Sequence, residues 1–275
     1  QRIAELGKKG LLALFCDSTN VERPGYSISE KEVGDTFVRI FGQVTGRIVV
    51  ATFASNLHRV QQIIYAAEKY NRKVALSGRS MMNNVKIASD LGYLKVKNNT
   101  LIEMKNIKNY ADDEIVVLST GTQGEPLSAL TRMANSEHKQ VHLNETDTVI
   151  LSSSAIPGNE IAINNVINKL TKLGVNIIYS SLARVHASGH ACQEEIKLMY
   201  QLTTPKFLIP AHGEARQLQT HEDIAVSMGM DKQNIHILEN GDVLEFTKKS
   251  ANLAGKIQAG NVLVDGSGIC LLYTS

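Results

Sequence analysis

The sequence predicts an α/β protein in which parallel strands are covered by helices on both faces. Several short runs rich in β-branched residues are apolar throughout, which is typical of strands that are buried on both faces of a sheet. Amphipathic helical patterns separate these runs along the chain, as they do in proteins built from βαβ units. The length of 275 residues and the apolar content of 43% are sufficient for one large or two ordinary domains, each with its own core.

The first half of the chain alternates strands and helices. A strand is predicted at GLLALFCDS, and a helix over SEKEVGDTFVRIF, whose capping box consists of Ser29 and Glu32. RIVVATFA predicts the next strand and NLHRVQQIIYAAEKYN the next helix. The spacing of apolar residues predicts a buried face on that helix made of Leu57, Val60, Ile64 and Ala67. His58 and Arg59 are expected on its exposed face.

Four further strands are expected at KVALSG, EIVVLSTG, DTVILSSS and NIIYSS, with helices that begin near Met82, Pro126 and Asn159. After residue 180 the pattern predicts a helix over CQEEIKLMYQL, a strand over KFLIPAHGE and a helix over ARQLQTHEDIAVSMG. NIHILENGDVLEFT then predicts a hairpin whose turn is NGD.

Composition limits the classes of partner. The formal net charge is +2, so a nucleic acid would have to be held by a local basic groove. No apolar run approaches the ~20 residues that span a bilayer, so no membrane partner is expected. Cys16, Cys192 and Cys270 show no paired spacing, which predicts neither a disulfide framework nor a cysteine-rich zinc module and favours a reducing, cytoplasmic setting.

The two chain ends predict that the sequence is a segment of a longer protein. The start, QRIAELGKKG, has no Met and no hydrophobic signal core. At the other end, CLLYTS (residues 270–275) completes no element and is expected to be a non-native tail.

Small polar residues follow five of the predicted strands, at residues 17–19, 55–56, 77–79, 119–124 and 152–154. Each one alone is explained equally well as a helix cap or a turn. Because ligands collect at the carboxyl ends of the strands in open parallel sheets, five such ends on one edge predict a groove for an anionic polymer or a nucleotide.

Histidines add two candidate positions. RVHASGHACQEE places His186 and His190 four residues apart, a spacing that would present two metal ligands on a helix. Ser188 and Gly189 lie between them and argue against a helix there. The stretch therefore remains a metal site, a phosphate cradle or a surface turn in which the histidines cap the next helix. His212, in PAHGE, follows an apolar run, where a histidine is more often structural than a ligand.

Seven blocks of the sequence closely resemble, in this order, the ribonuclease J family of metallo-β-lactamase nucleases that carry a β-CASP domain. The blocks are FCDSTN, GRIVVATFASNLHRVQQII, GRSM, LSTGTQGEP, SSSAIPGNE, VHASGHA and IPAHGE. The resemblance extends to about residue 268. It implies an α/β fold in which the β-CASP domain, a parallel sheet with helices on both faces, is inserted in a partial metallo-β-lactamase domain.

The resemblance implies the domain order. Residues 1–29 would be the distal part of the metallo-β-lactamase domain, 30–180 the β-CASP domain and 181–250 the resumed metallo-β-lactamase domain. Residues 251–269 would be a linker and the start of a truncated C-terminal domain. The family's HxHxDH block, a further histidine and a bridging aspartate would lie upstream of Asp17, and this sequence contains none of them.

The resemblance also implies roles for individual residues. Asp17 and His190 match the family's acidic and histidine motifs of the catalytic centre, and His212 matches a direct metal ligand. An acid beside His190 would fix the orientation of its ring, which suits a general acid or a phosphate contact. The substrate loop would consist of His186, Ala187, Ser188, Gly189 and His190. Its serine hydroxyl and glycine N–H could donate to phosphate oxygens, which favours a phosphate cradle over a metal site.

By this resemblance the parent protein would be a phosphodiester hydrolase that acts on RNA with two Zn²⁺ ions, both as a 5′–3′ exonuclease and as an endonuclease, in rRNA processing and mRNA decay. A dimer or tetramer with RNA-decay partners is implied, and this chain alone is expected to be inactive. An alternative is a non-catalytic RNA-binding β-CASP protein that has lost its metal site. A small-molecule nucleotide-binding protein is disfavoured because neither G-x-G-x-x-G nor a P-loop follows the first strand.

Overall fold

The computed structural model describes residues 2–156, 158–260, 263–265 and 268–270. The chain divides into two compact units. The central unit is Ile28–Ser188. The split unit consists of the described residues of Gln1–Ser27 and Gly189–Ser275, on either side of it in the sequence.

The described residues contain eight α-helices and twelve strands. The helices are α1 (Arg2–Lys8), α2 (Glu30–Gln43), α3 (Leu57–Lys69), α4 (Arg79–Asp90), α5 (Ala129–Ala134), α6 (Glu160–Lys172), α7 (Gln193–Thr203) and α8 (Ala215–Ser227). The strands are β1 (Ala13–Asp17), β2 (Ile48–Ala51), β3 (Lys73–Ser77), β4 (Leu101–Ile102), β5 (Ile115–Ser119), β6 (Thr148–Leu151), β7 (Asn176–Tyr179), β8 (Phe207–Ala211), β9 (Asp242–Phe246), β10 (Ala251–Lys256), β11 (Leu263–Asp265) and β12 (Gly268–Cys270).

The central unit is built on a parallel sheet that has six strands within its described residues, in the order β4–β3–β5–β2–β6–β7. Alternate residues of β2 belong to two different hydrophobic cores. Ile48 and Val50 pack with α2, α3 and α4, whereas Val49 and Ala51 pack with α5 and α6. Helices therefore cover both faces, and the predicted α/β class is confirmed.

The predicted start of α2 is also confirmed. The Ser29 hydroxyl accepts from the Glu32 N–H at 3.2 Å, and the Ser29 N–H donates to the Glu32 carboxylate at 3.4 Å. This reciprocal pair satisfies two of the backbone donors that a helix start leaves without partners.

Helix α3 buries most of the predicted face but contradicts one expectation. Val60, Ile64 and Ala67 are fully buried, and Leu57 is half-buried. Arg59, which was expected to be solvated, is 0% exposed. Its guanidinium donates to Glu30 and to the carbonyls of Ser152 and Val185, so the polar partners supplied by other elements offset the cost of its burial.

The split unit contains the parallel pair β1–β8, with Asp17 opposite Ala211. Helices α7 and α8 and residues of both strands form its core, in which Val21, Leu208 and Ala225 are fully buried. The predicted turn at NGD does not form a hairpin: β9 pairs antiparallel with the following strand β10 instead. Ile235 forms a bridge with Leu208 next to β8, so the segment before NGD is engaged elsewhere.

One of the five polar strand ends expected to form the groove belongs to a different sheet from the others. Asp17 ends a strand of the β1–β8 pair, whereas Ser77, Ser119 and Ser152 end or follow strands of the six-stranded sheet. The expectation that all five polar strand ends lie on one edge is therefore wrong, because β1 does not belong to the larger sheet.

The side chains of Cys16 and Cys192 are free thiols. The expected non-native tail falls mostly at residues 271–275, outside the described residues. Over the part of the chain that the structure describes, no helix is both long and apolar enough to cross a membrane.

Candidate active site

The parallel pairing of β1 and β8 brings Asp17 and His212 to the same end of two neighbouring strands. Asp17 is the last residue of β1 and lies opposite Ala211, the last residue of β8, so His212 follows directly. The two residues are 195 positions apart in the sequence (212 − 17). Register alone therefore places an acid beside a histidine, where ligands of parallel sheets collect.

The Asp17 carboxylate contacts two imidazole rings. His190 Nδ1 lies 3.1 Å from each carboxylate oxygen, and His212 Nδ1 lies 2.9 Å from Oδ2. An ionised carboxylate can only accept, so its hydrogen bonds with His190 assign a proton to Nδ1 of that ring. The negative charge 2.9 Å from His212 Nδ1 favours a proton on that nitrogen as well. The two rings stack at 5.4 Å with an angle of 14° between their planes. With Nδ1 engaged, each ring can meet a ligand only through Nε2.

Thr19 completes this arrangement and was not singled out from the sequence. Its backbone N–H donates to Asp17 Oδ1 at 3.0 Å, which fixes the carboxylate in a short turn. Its hydroxyl lies 2.8 Å from His212 Nδ1 and donates to the His212 carbonyl at 3.1 Å. Gln217 in turn donates to the Thr19 carbonyl at 2.8 Å. The only sequence signal was the polar strand end DST, which is common in ordinary turns.

The turn after β8 presents His212 to solvent. His212 has a φ of 55°, in the left-handed region that costs a residue with a Cβ atom. Gly213 follows, and a Cβ atom there would lie 3.1 Å from the Ser18 side chain. The turn therefore packs closely against the segment that carries Asp17, while 70% of the His212 side chain remains exposed.

His190 lies in the segment before α7. Its carbonyl accepts from the Asn20 amide at 2.9 Å. Neither His186 nor His190 caps α7, as one interpretation of the sequence allowed: the N-cap residue is Cys192, whose N–H donates to Glu195 at 2.8 Å. Glu195 also accepts from the Ser27 hydroxyl at 2.7 Å. It therefore joins the segment before α7 to Ser27, the last residue of the N-terminal part of the split unit.

The five residues expected to form the substrate loop belong to two units. Gly189 and His190 lie in the split unit, whereas His186, Ala187 and Ser188 lie in the central unit. There, His186 Nε2 lies 3.3 Å from the Ser154 hydroxyl, just beyond the carboxyl end of β6. Within the central unit the first part of the loop is thus fixed at the edge of the six-stranded sheet.

Asp17, His190 and His212 are the one group of three potential metal-binding residues in the described part of the chain, with ligand atoms within 4.8 Å of one another. Metal-binding histidines usually place the other ring nitrogen next to a carboxylate, and His212 Nδ1 lies 2.9 Å from Asp17 Oδ2. Catalytic zinc normally takes three protein ligands. The geometry fits a histidine ligand that binds through Nε2 and is supported by the Asp17 carboxylate.

Two family descriptions match the chain. Residues 45–170 match "Ribonuclease J, beta-CASP domain", and residues 174–238 match "Zn-dependent metallo-hydrolase RNA specificity domain". Together they cover most of the central unit and the part of the split unit that contains His190 and His212.

The chain also aligns with curated relatives along nearly its whole length. It is 46% identical to ribonuclease J of Synechocystis sp. over 98% of this chain and 42% of that protein. It is 46% identical to ribonuclease J of Thermus thermophilus over 98% of this chain and 47% of that protein. It is 41% identical to ribonuclease J2 of Bacillus subtilis over 97% of this chain and 48% of that protein. The chain thus spans less than half the length of these relatives.

These matches, together with the fold, define the class: metallo-hydrolases that carry a β-CASP domain. Within that class, the chain belongs to the ribonuclease J family. The relatives are named as ribonucleases, so the alternative of a non-catalytic RNA-binding protein is not favoured.

Proposed function

We propose that this chain forms part of a zinc-dependent ribonuclease that hydrolyses RNA as a 5′–3′ exonuclease and an endonuclease, in RNA maturation and decay. The observation that carries the proposal is the Asp17 carboxylate shared by His190 Nδ1 and His212 Nδ1. One acid thereby orients two imidazoles whose Nε2 atoms can act on a substrate or a metal.

In the proposed reaction, His212 would be one of the residues that hold zinc. Zinc held there would supply an activated water at neutral pH and would stabilise the charge of the scissile phosphate. Asp17 keeps the His212 ring in the Nδ1–H tautomer and fixes its direction. His190 contacts the phosphate or donates a proton to the leaving oxygen, and the same carboxylate fixes its ring.

The loop from His186 to His190 is proposed to bind RNA phosphate. Ser188 offers a hydroxyl, and Gly189 offers a backbone N–H to which no side chain blocks access. A Cβ atom added at Gly189 would meet no atom within 4 Å, so the glycine leaves space for a ligand.

The remaining proposals concern the whole protein. We propose that residues 1–29 and 181–250 belong to a metallo-β-lactamase domain, 30–180 to an inserted β-CASP domain and 251–269 to a linker and the start of a further domain. The division at Ser27 and Ser188 supports the insertion. Two zinc ions per site, a dimer or tetramer, RNA-decay partners and a cytoplasmic location complete the proposal.

The test joins this chain to the segment that precedes the matching region in Thermus thermophilus ribonuclease J, where the family resemblance places the other metal ligands. The chimera should cleave a 5′-monophosphorylated, labelled RNA in a zinc-dependent manner. His212→Ala should abolish cleavage and lower the zinc content. His190→Ala should keep the zinc content and lower turnover by about 10²–10⁴-fold, the usual contribution of a proton-transfer group.

His142→Ala is the matched control, because His142 is exposed in the central unit and should not affect either measurement. The Thermus protein itself is the positive control for the assay. Full zinc content and undiminished cleavage in the His212→Ala chimera would overturn the assignment of the metal ligand. An inactive chimera beside an active Thermus protein would count against the proposed activity.

A further inference from the structure

Behind the Asp17 turn lies a buried pair of polar side chains, Ser18 and His221. The Ser18 hydroxyl lies 2.7 Å from His221 Nδ1, and both residues are 0% exposed. They are 203 positions apart in the sequence. A hydrogen bond between two fully buried groups holds strongly to one geometry, because neither group can exchange its partner for water.

The pair joins the two segments that carry the site. Ser18 lies between Asp17 and Thr19, the two residues that contact His212. His221 lies on α8, which begins at Ala215 directly after the turn that presents His212. One buried hydrogen bond therefore ties the turn after β1 to the helix after β8.

The surroundings of Ser18 leave it little freedom. Its N–H donates to the Ala211 carbonyl at 2.8 Å, which continues the pairing of β1 and β8 by one residue. Its carbonyl accepts from the Val21 N–H at 3.2 Å, which closes the turn. Its hydroxyl contacts His221, and a Cβ atom added at Gly213 would lie 3.1 Å from the Ser18 side chain, so the space between Ser18 and the His212 turn is also filled. A shift of Ser18 would therefore move both Asp17 and the His212 turn.

His221 suits such a role because it carries no charge. Burial lowers the pKa of His221 to about 4, so the ring is neutral at physiological pH. Its ring lies 5.7 Å from that of Tyr200, which is itself buried. Because the His221 ring is neutral, it fixes the position of the turn without attracting the nearby Asp17 carboxylate away from the two site histidines.

We propose that His221 is a positioning residue: through Ser18 it holds the turn in which Asp17 aligns the rings of His190 and His212. This inference rests on the proposed roles of Asp17, His190 and His212. His221 itself touches neither substrate nor metal in this scheme. Its effect is on the direction and the tautomer of the two site rings.

The experiment reads the tautomers directly, by side-chain ¹⁵N NMR of the 275-residue chain without metal or RNA. In the unmodified chain His190 and His212 should both show the Nδ1–H form, because Nδ1 of His190 donates to Asp17 and Nδ1 of His212 lies 2.9 Å from the same carboxylate. Ser18→Ala and His221→Phe should each convert both rings to mixtures of the two tautomers. His221→Asn keeps a polar atom near the position of Nδ1 and should restore the Nδ1–H form.

A matched control separates this effect from a general loss of stability. Ser77 and His138 form another buried serine–histidine pair, with 3.0 Å between Oγ and Nε2, in the central unit. Ser77→Ala removes a comparable bond and should leave the tautomers of His190 and His212 unchanged.

Unchanged tautomers in folded Ser18→Ala would overturn the positioning role. So would equal changes in Ser77→Ala, because the effect would then be general. Ser18→Ala provides this test even where His221→Phe fails to fold. None of these outcomes depends on RNA cleavage, so they are distinguishable from failure of the proposed function.

Discussion

Replacement of Arg59 with leucine should destabilise the central unit strongly, because its guanidinium connects three elements from a fully buried position. Nε and Nη2 donate to the Glu30 carboxylate at 3.1 and 2.7 Å. Nη1 donates to the Ser152 hydroxyl and to the carbonyls of Ser152 and Val185, the last at 3.0 Å. The side chain is 0% exposed and that of Glu30 is 38% exposed.

The magnitude follows from what remains after truncation. Removal of one partner of a buried ion pair typically costs about 3–5 kcal/mol. The Glu30 carboxylate can be hydrated in part, which places the expected loss near the lower end, about 3 kcal/mol. The central unit has 161 residues (188 − 28 + 1). For this size each kcal/mol lowers Tm by about 2–4 °C, so Arg59→Leu should lower the Tm of the central unit by about 6–12 °C.

Differential scanning calorimetry of the whole chain measures this shift, with hydrogen exchange to assign the transition to the central unit. Arg39→Leu on α2 is the matched control: Arg39 is exposed, and its replacement should change stability by no more than about 0.5 kcal/mol. Arg59→Lys keeps the charge but loses the forked geometry, so its Tm should fall between the two. A Tm for Arg59→Leu equal to that of Arg39→Leu would refute the reasoning.

Two further predictions concern acid stability and backbone space. Since burial lowers the pKa of His221 to about 4 from the ordinary 6.5, the unfolded chain takes up this proton first. The free energy of unfolding should therefore fall by up to about 3 kcal/mol as the pH drops from 6.5 towards 4. Urea titrations should show a smaller fall over this pH range in His221→Phe, which lacks the titrating group. Gly124 and Gly92 have nearly equal φ values, 73° and 75°, but a Cβ atom would lie 2.5 Å from the Ala162 backbone at Gly124 and in open space at Gly92. Gly92→Ala should lower the free energy of unfolding by about 1–2 kcal/mol, for its φ alone. Gly124→Ala should lower it by about 1–3 kcal/mol more, because the added Cβ atom is crowded there. Equal losses for the two variants in urea unfolding would contradict this crowding.

Local patterns were sufficient for the α/β class and for most elements. Strands that are apolar throughout require cover on both faces, and β2 shows this directly, since Ile48 and Val49 face different cores. The capping box of Ser29 and Glu32 located the start of α2, because both partners lie within one helical turn. The sequence blocks around Asp17, His190 and His212 identified the candidate site, although each residue alone had an ordinary structural explanation.

The wrong expectations have a common physical cause. Arg59 lies four residues before the buried Ile63, beside the apolar face of α3, and only the arrival of Glu30 and Ser152 from other elements makes its burial tolerable. The NGD turn signal was local as well, whereas the choice of β10 as the partner of β9 depends on how the preceding segment docks beside β8.

The amino-acid pattern alone therefore determined most of the helices and strands, which residue types could carry chemistry and which family the chain resembles. Folding decided which of those residues meet. The register of β1 with β8 brings Asp17 to His212, and the packing of α8 brings His221 to Ser18 across 203 residues of sequence. Such contacts leave no periodic or local signature, because they depend on the packing of whole elements against one another and not on neighbours along the chain.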